Sequence, residues 1–503
     1  MSALAERTHG HRSNGRLRGD AATAVREPQP VKLDAYGRLE ALCDPGSLQV
    51  IRSTVMPRRE SKRMQEGDGV VGAAGTVLGR PVYCYAQDQS FVGGSLGETH
   101  ADTIIRVMEM AERSNAPVVG FIASGGARMD DGIAALGGYG RIFRHNVRLS
   151  GKVPQISVIS GVSAGGGSYS PALTDFVVMT EGSAMFLTGP GVVREVMGEE
   201  VSSQDLGGPR VHSKNGVCQF EAEDDLDAVR LVRDLLSYLP QQAGEAPPIG
   251  PPADALREDP SEVVPAAARQ VYDVRDVIRS IGDGGEMLEM ADRWARNMVT
   301  AFTRIDGRPV GVIANQPWYL GGVIDSDASQ KAARFVRICN SFGLPLVVLV
   351  DTPGFLPGTK QEGAGVIRHG AKLLHAFAEA VVPKVTVVLR KAYGGAYICM
   401  NSKDLGADLA FAWPDAEIGI MGPKQAVGVV HKRALAEADD YEAERDRLAD
   451  EYADEHVSAE VAARMGFIDE LIEPRDTRRR LGGAIAALSG PGRRGNAGGN
   501  IPL

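Results

Sequence analysis

Cysteine is scarce in this chain: Cys43, Cys84, Cys218, Cys339 and Cys399 are the whole supply in 503 residues, far apart and with no C-x-x-C pair. That spacing excludes a zinc ribbon and the dense disulfide framework of a secreted module, and it suits a reducing cytoplasm. Positive charge is not in excess either. With a net charge of -9 there is no electrostatic reason to expect nucleic acid as a partner, although a local basic patch could still hold a phosphorylated ligand. Apolar runs of membrane-spanning length are missing, and the first 30 residues, polar and carrying Arg7, Arg12, Arg16, Arg18 and Arg26, lack the apolar core of a signal peptide. They read as a disordered tail.

What is present is ordinary for a soluble globular protein, 43% hydrophobic and 24% charged residues, with 61 glycines too scattered for a collagen-like or linker-like chain. The length favours two globular units over one core. A natural division lies at LPQQAGEAPPIGPPADALREDPSEVVP, where seven prolines block both helix and central strand. We therefore expect a domain over residues 31–240, a proline-rich linker over 241–265 and a second domain over 266–495.

The two halves repeat each other. Gly79-Arg80-Pro81 recurs as Gly307-Arg308-Pro309, an offset of 228 that also carries Gly93-Gly94 to Gly321-Gly322, Arg106 to Arg334 and Pro117 to Pro345. After one inserted residue the offset is 229, placing Val153-Pro154 on Val382-Pro383, Gly165-Gly166 on Gly394-Gly395 and Asp175 on Asp404. Within each half, apolar runs such as VPQISVIS and VPKVTVVLR read as buried strands, and TIIRVMEMAERS and QKAARFVRICNSF as amphipathic helices. Strand, helix, strand order with short Gly/Pro turns predicts two α/β domains facing one another.

Each half places a glycine cluster after a buried strand and before a helical stretch: residues 161–167, GVSAGGG, in the first and residues 391–396, KAYGGA, in the second. Free amides at such a turn, with the positive end of a helix behind them, can hold a thioester enolate without a charged side chain. The alternative is that the glycines serve only tight strand–helix packing; their recurrence at equivalent positions favours a site. A second pair of turns, Ser124-Gly125-Gly126-Ala127-Arg128 and Asp351-Thr352-Pro353-Gly354-Phe355, is expected to line the same cleft. By itself SGGAR reads two ways, as a phosphate site using its amides and Arg128, or as a plain turn with a surface arginine.

GVSAG also satisfies the G-x-S-x-G elbow of serine hydrolases, with Asp351 and His369 or His375 in workable chain order. Against this, the equivalent of Ser163 is Ala392, so the shared architecture needs the glycines and no hydroxyl. His369 and His375 stand about 600° apart on a helix and cannot form an i, i+4 metal pair; no metal is expected. Arg334 and Arg337 read as solvated helix charges.

Taken as long ordered stretches, FVGGSLGETHADTIIRVMEMA, SGGARMDDGIAALGGYGRIFRHNVRLSGKVPQISVISGVSAGGGSYSPALTDF, VDTPGFLPGTKQEGAGVIRHGAKLLHAFAEA and VPKVTVVLRKAYGGAYICM closely resemble the β (carboxyltransferase) subunits of propionyl-CoA and related biotin-dependent acyl-CoA carboxylases, over about residues 67–433. The resemblance implies an α/β chain of duplicated crotonase-like domains and a hexamer. Its active sites would lie between the first domain of one subunit and the second domain of its neighbour. It implies acyl-CoA on the first domain, with the amides of Gly165 and Gly166 steadying the enolate and Gly125, Gly126, Ala127, Arg128, Gly167, Tyr169 and Ile398 around the substrate. On the second domain it implies carboxybiotin, with Gly395 and Ala396 steadying the ureido oxygen and Gly354, Phe355, Tyr393 and Gly394 nearby.

Biotin would arrive on a partner, the biotin carboxylase and biotin carboxyl carrier subunit, because the chain has no Met-Lys dipeptide and no ATP-grasp candidate. The departures are a shortened N-terminal helix before Asp44-Pro45-Gly46 and His456-Val457-Ser458 in place of Asn-Pro-Tyr; both bear on partner docking more than on the reaction. A decarboxylase of malonyl-type thioesters on the same fold, and a scaffold that has lost catalysis, are the competing readings.

Overall fold

The structure, a computed structural model, describes residues 30–58, 63–257, 259–267 and 270–490. The tail expected over residues 1–30 lies outside these, its last residue excepted.

Each half builds one eight-stranded sheet. The first contains β1 (Gln49–Ile51), β2 (Val70–Val77), β3 (Arg80–Gln87), β4 (Val118–Ser124), β5 (Gln155–Ala164), β6 (Phe176–Thr180), β7 (Ala184–Phe186) and β8 (Phe220–Ala222). The second contains β9 (Leu288–Glu289), β10 (Met298–Ile305), β11 (Arg308–Asn315), β12 (Leu346–Thr352), β13 (Lys384–Tyr393), β14 (Leu409–Ala412), β15 (Glu417–Gly419) and β16 (Glu470–Leu471). In both, an antiparallel hairpin feeds a parallel run, in the orders β1-β2-β3-β4-β5-β6-β8 and β9-β10-β11-β12-β13-β14-β16, with β7 and β15 paired to the ends of β5 and β13. Every residue of β4 and β12 is buried. Helices cover both faces of a parallel sheet, so the strands read as continuous apolar runs.

The repeat persists in register. Val118 pairs with Gln155 and Ser124 with Ser163 across β4 and β5; their equivalents Leu346 and Lys384, and Thr352 and Ala392, pair across β12 and β13, with a register shift at the same place. Gly94 and Gly322 show why those glycines recur. A Cβ on Gly94 would fall 1.9 Å from the Ala123 carbonyl oxygen, and one on Gly322 would fall 2.5 Å from that of Asp351. A backbone crosses a strand end too closely in each half for any side chain.

The strands extend further than the turns read from sequence. Residues 161–164 belong to β5 and 391–393 to β13, because the three-residue strands β7 and β15 supply hydrogen-bonding partners from about twenty residues downstream. Asp351 and Thr352 likewise end β12 and do not form a turn.

The two sheets share one core. Phe302 of β10 meets Phe176 of β6 at 6.2 Å, Phe335 at 5.0 Å and Tyr238 at 5.8 Å between ring centroids. Arg334, expected in solvent, is buried in helix Ser326–Ser341 and donates to the carbonyls of Thr174 at 3.0 Å and Asp175 at 3.1 Å in the first half. Helical period placed it correctly on its helix but could not show that the sister domain covers that face. Arg337 reaches Glu379 at 3.0 Å. The proline-rich segment lies against the second half, where the Gly250 amide donates to the Gly307 carbonyl at 2.8 Å and Arg304 donates to the Pro248 carbonyl at 3.0 Å.

Candidate functional site

At the end of β5 the chain turns through Gly165, whose φ of 59° is open to glycine and costly for other residues, into helix Gly166–Ala172. β7 braces this turn from one side. The Gly165 amide donates to the Phe186 carbonyl at 3.1 Å, and the Ser168 hydroxyl donates to the carbonyls of Ser163 at 3.0 Å and Phe186 at 2.8 Å. The donor expected at Gly165 is therefore spent on the fold. Gly166 and Gly167, in the first turn of the helix, have no intrahelical carbonyl to serve. Behind them stands Tyr139, whose ring a Cβ on Gly166 would meet at 2.7 Å and whose hydroxyl is 3.2 Å from the Ser124 hydroxyl. The Gly166 glycine thus answers to an interior ring, as the packing alternative held, and not only to an approaching ligand. Tyr169 projects from the same helix, half exposed, edge-on to Phe143.

The neighbouring turn 125–128 is fastened along its backbone. The Gly125 amide donates to the Gly93 carbonyl at 2.9 Å, the Leu96 amide to the Gly126 carbonyl at 2.8 Å, and the Arg128 amide to the Leu96 carbonyl at 2.9 Å, with Ala127 bridged to Leu96. The Arg128 side chain meets neither expectation: it is buried, ion-paired to the buried Asp68, and donates to the Ser95 carbonyl at 3.0 Å. It is neither a surface charge nor free to take a phosphate. His100 closes this buried network, its pKa lowered to about 3 by burial and then by Arg128, so it stays neutral near pH 7.

The second half repeats the plan. Gly394 turns at φ 58° into helix Gly394–Cys399, which carries Gly395, Ala396 and the half-exposed Ile398. Here the flank is open: a Cβ on Gly395 would sit 3.9 Å from the Phe355 ring, an ordinary contact. Gly354 is held as Gly126 is, its amide 3.3 Å from the Thr352 hydroxyl where that of Gly126 is 3.3 Å from Ser124. Tyr393 donates to Glu417, and burial, reinforced by that carboxylate, holds its phenol protonated far above the ordinary range. Asp351, fully buried, is paired at 2.9 Å with Arg390; burial lifts its carboxyl pKa against the pull of Arg390 and Lys391.

The serine-hydrolase arrangement is not assembled. Ser163 is fully buried and donates to the Gly167 carbonyl at 2.9 Å, Asp351 belongs to Arg390, His369 lies 3.2 Å from the Arg368 guanidinium and His375 faces Glu379 at 3.6 Å. Sequence reasoning missed Tyr139, Ser168, Glu417 and Arg390. Tyr139 and Ser168 stand among glycines, in GGYG and GGGS, but their roles depend on contacts with separate segments, Ser124 and Phe186, as those of Glu417 and Arg390 depend on Tyr393 and Asp351.

What remains in each half is a set of uncharged main-chain donors at a helix start, which suits an anion such as a developing oxyanion and offers nothing to a metal cation. Among the described residues no cluster of His, Cys, Asp and Glu is arranged to hold a metal ion. The family model described as "Carboxyl transferase domain" matches residues 31–493. The propionyl-CoA carboxylase beta chain of Roseobacter denitrificans is 44% identical, covering 97% of each chain. The methylmalonyl-CoA decarboxylase subunit alpha of Veillonella parvula is 45% identical, covering 94% of this chain and 93% of its own. A crystal structure of transcarboxylase 12S, described as a hexamer with methylmalonyl-coenzyme A and methylmalonic acid bound, superposes with a TM-score of 0.89 at 45% identity, covering 94% and 92%. That likeness bears out the expected duplicated crotonase-like domains.

Proposed function

Since the chain belongs to the carboxyl transferase domain family, we propose that it moves a carboxyl group from carboxybiotin on a carrier protein to the α-carbon of a short acyl-CoA. Propionyl-CoA or acetyl-CoA would give methylmalonyl-CoA or malonyl-CoA. Carboxyl transfer on acyl-CoA is the activity of the family; the alkyl chain, the carrier and the roles of single residues are our reading. The observation that carries it is the pair of glycine turns, at φ 59° and 58°, opening equivalent helices in the two halves.

In this reading the amides of Gly166 and Gly167 receive the thioester oxygen as it gains charge, worth several kcal/mol in a water-poor site. Gly125, Gly126 and Ala127 shape the wall beside it, Arg128 holds that wall from below, and Tyr169 and Ile398 border the acyl chain. On the other side Gly395 and Ala396 face the ureido oxygen, with Gly354, Phe355, Tyr393 and Gly394 forming the surround; the open flank of Gly395 beside the Phe355 ring suits a flat bicyclic group. Carboxybiotin, when bound, supplies the carboxyl group and the nitrogen that takes the α-proton, so no side-chain base is required. The protein aligns the partners and keeps water out.

The two turns belong to different sheets, and in this reading a complete site takes the first half of one copy and the second half of another. Exposed apolar helices beside each turn support such a hexamer: Val196 and Met197 are 72% and 73% exposed, and Val429 and Val430 are 70% and 63% exposed. A cytoplasmic setting fits five free, buried cysteines, and among the described residues no helix is long and apolar enough to cross a membrane.

The test mixes the purified chain with biotin carboxylase, biotinylated carrier, ATP and labelled bicarbonate over acetyl-, propionyl- and butyryl-CoA. Acid-stable label in the acyl-CoA, dependent on ATP and carrier, is the expected result. A second reading, decarboxylation of a malonyl-type thioester, draws on the Veillonella relative. Loss of CO2 from methylmalonyl-CoA with no biotin protein present would favour it. A scaffold without catalysis is disfavoured by the intact glycine turns, and would be revived by failure to bind any acyl-CoA in calorimetry.

A further inference from the structure

The two halves differ at one buried position beside their glycine turns. In register, Asp351 of β12 corresponds to Ala123 of β4, and Arg390 of β13 to Gly161 of β5. The first half fills this place with Ala123 and Gly161 and has no room for more: a Cβ on Gly161 would meet Gln89 Oε1 at 2.7 Å and the Ala123 Cβ at 3.1 Å. The second half fills it with an ion pair, Arg390 Nε to Asp351 Oδ2 at 2.9 Å, the carboxylate fully buried. The fold plainly does not need the pair, since the sister sheet is built without it. A buried ion pair returns little net stability against well-packed apolar groups, so its presence asks for another reason.

Its connections supply one. Asp351 stands immediately before the turn that carries Gly354 and Phe355, and Arg390 three residues before Tyr393. From the same guanidinium, Nη1 donates to the carbonyls of Gln270 at 2.8 Å, Pro265 at 3.3 Å and Ala267 at 3.3 Å, while the group lies 4.9 Å over the buried Tyr272 ring. One planar cation thus ties three separate segments together: the strand ends leading into both biotin-side loops and the segment where the proline-rich connector joins the second half. A lysine, with a single point charge, could not serve the carboxylate and these carbonyls in fixed directions.

We propose that the Arg390–Asp351 pair is a positioning device for the carboxybiotin side, fixing the Gly354-Phe355 and Tyr393-Gly395 loops relative to one another. This inference rests on the assignment of those loops to biotin given above. Neither residue touches substrate; both act through the loops they hold.

The test is carboxyl transfer from methylmalonyl-CoA to free biotin by the full-length oligomer, varying each reactant in turn. Asp351→Asn and Arg390→Lys are expected to lower kcat/KM for biotin by about a hundredfold, the cost of misplacing one reactant by about an ångström, while KM for methylmalonyl-CoA stays within about twofold of the parent. If a single variant fails to fold, the double variant Asp351→Ala/Arg390→Gly, which copies the residues of the first half, takes its place and is expected to show the same split. Unchanged biotin kinetics, or a fall for both reactants in proportion to the folded fraction, overturns the proposal. Gly395→Val run alongside separates the two ideas. If it too leaves biotin kinetics untouched, the biotin-side assignment itself fails; if it abolishes transfer while the pair variants do not, only the positioning role is lost.

Discussion

Gly166 and Gly395 occupy equivalent turns but tolerate a side chain differently. At Gly166 a methyl group meets the Tyr139 ring at 2.7 Å, while at Gly395 it makes an ordinary contact with Phe355 at 3.9 Å. Gly166→Ala should therefore cost about 1–3 kcal/mol through overpacking, read as a lower denaturant midpoint. Gly395→Val should leave that midpoint nearly unchanged and reduce transfer by about a hundredfold, because its side chain fills the open flank. Equal loss of stability in both would show that the second flank is not open. Both glycines could be named from the repeat alone. Which atom each one makes way for could not, since Tyr139 comes from a helix 27 residues upstream.

Helix Ser326–Ser341 is the element that most changes meaning between sequence and structure. Its period and its cap, with the Asp325 side chain accepting from the Ala328 amide at 2.8 Å, are local and readable. Its polar residues, however, are buried on contacts with distant segments. Arg334→Ala would strip two carbonyls of the first half of their donor, each a penalty of about 1–3 kcal/mol; a fall in unfolding free energy of less than about 1 kcal/mol would show that solvent replaces the donor.

Lys331, on the same helix, is fully buried and donates to the carbonyls of Ala291 at 2.8 Å and Trp294 at 3.0 Å. Burial lowers its pKa from 10.5 to about 8. Between those values the unfolded chain holds the extra proton, so this group's contribution to stability rises with pH through that window, by up to about 3 kcal/mol, and is flat below it. The stability difference between the parent and Lys331→Met, followed from pH 7.5 to about 10, should grow in the parent's favour. A difference that does not change would mean that the amine keeps its proton in the fold.

For the whole molecule, the proposed function turns on each copy carrying half of two sites. Val196→Asp and Val429→Asp place a charge on the apolar helices beside the first and second turns. Each is expected to shift the sedimentation profile toward smaller species and to abolish transfer, with secondary structure retained. Full activity in a monomer would refute the shared site. Neither variant touches the glycine turns, so the loss would report assembly.

By itself the sequence determined the duplication, the α/β layering of each half and the glycine turns after β5 and β13, because these follow from period, offset and backbone permissiveness, all of which are local. Only the tertiary structure decided that Gly165 spends its amide on β7, that the Arg128 side chain is buried against Asp68, and that Arg334 and Arg390 join segments far apart in the chain. Burial and pairing of a charged side chain depend on what the rest of the fold brings against it, and no spacing along the chain encodes that.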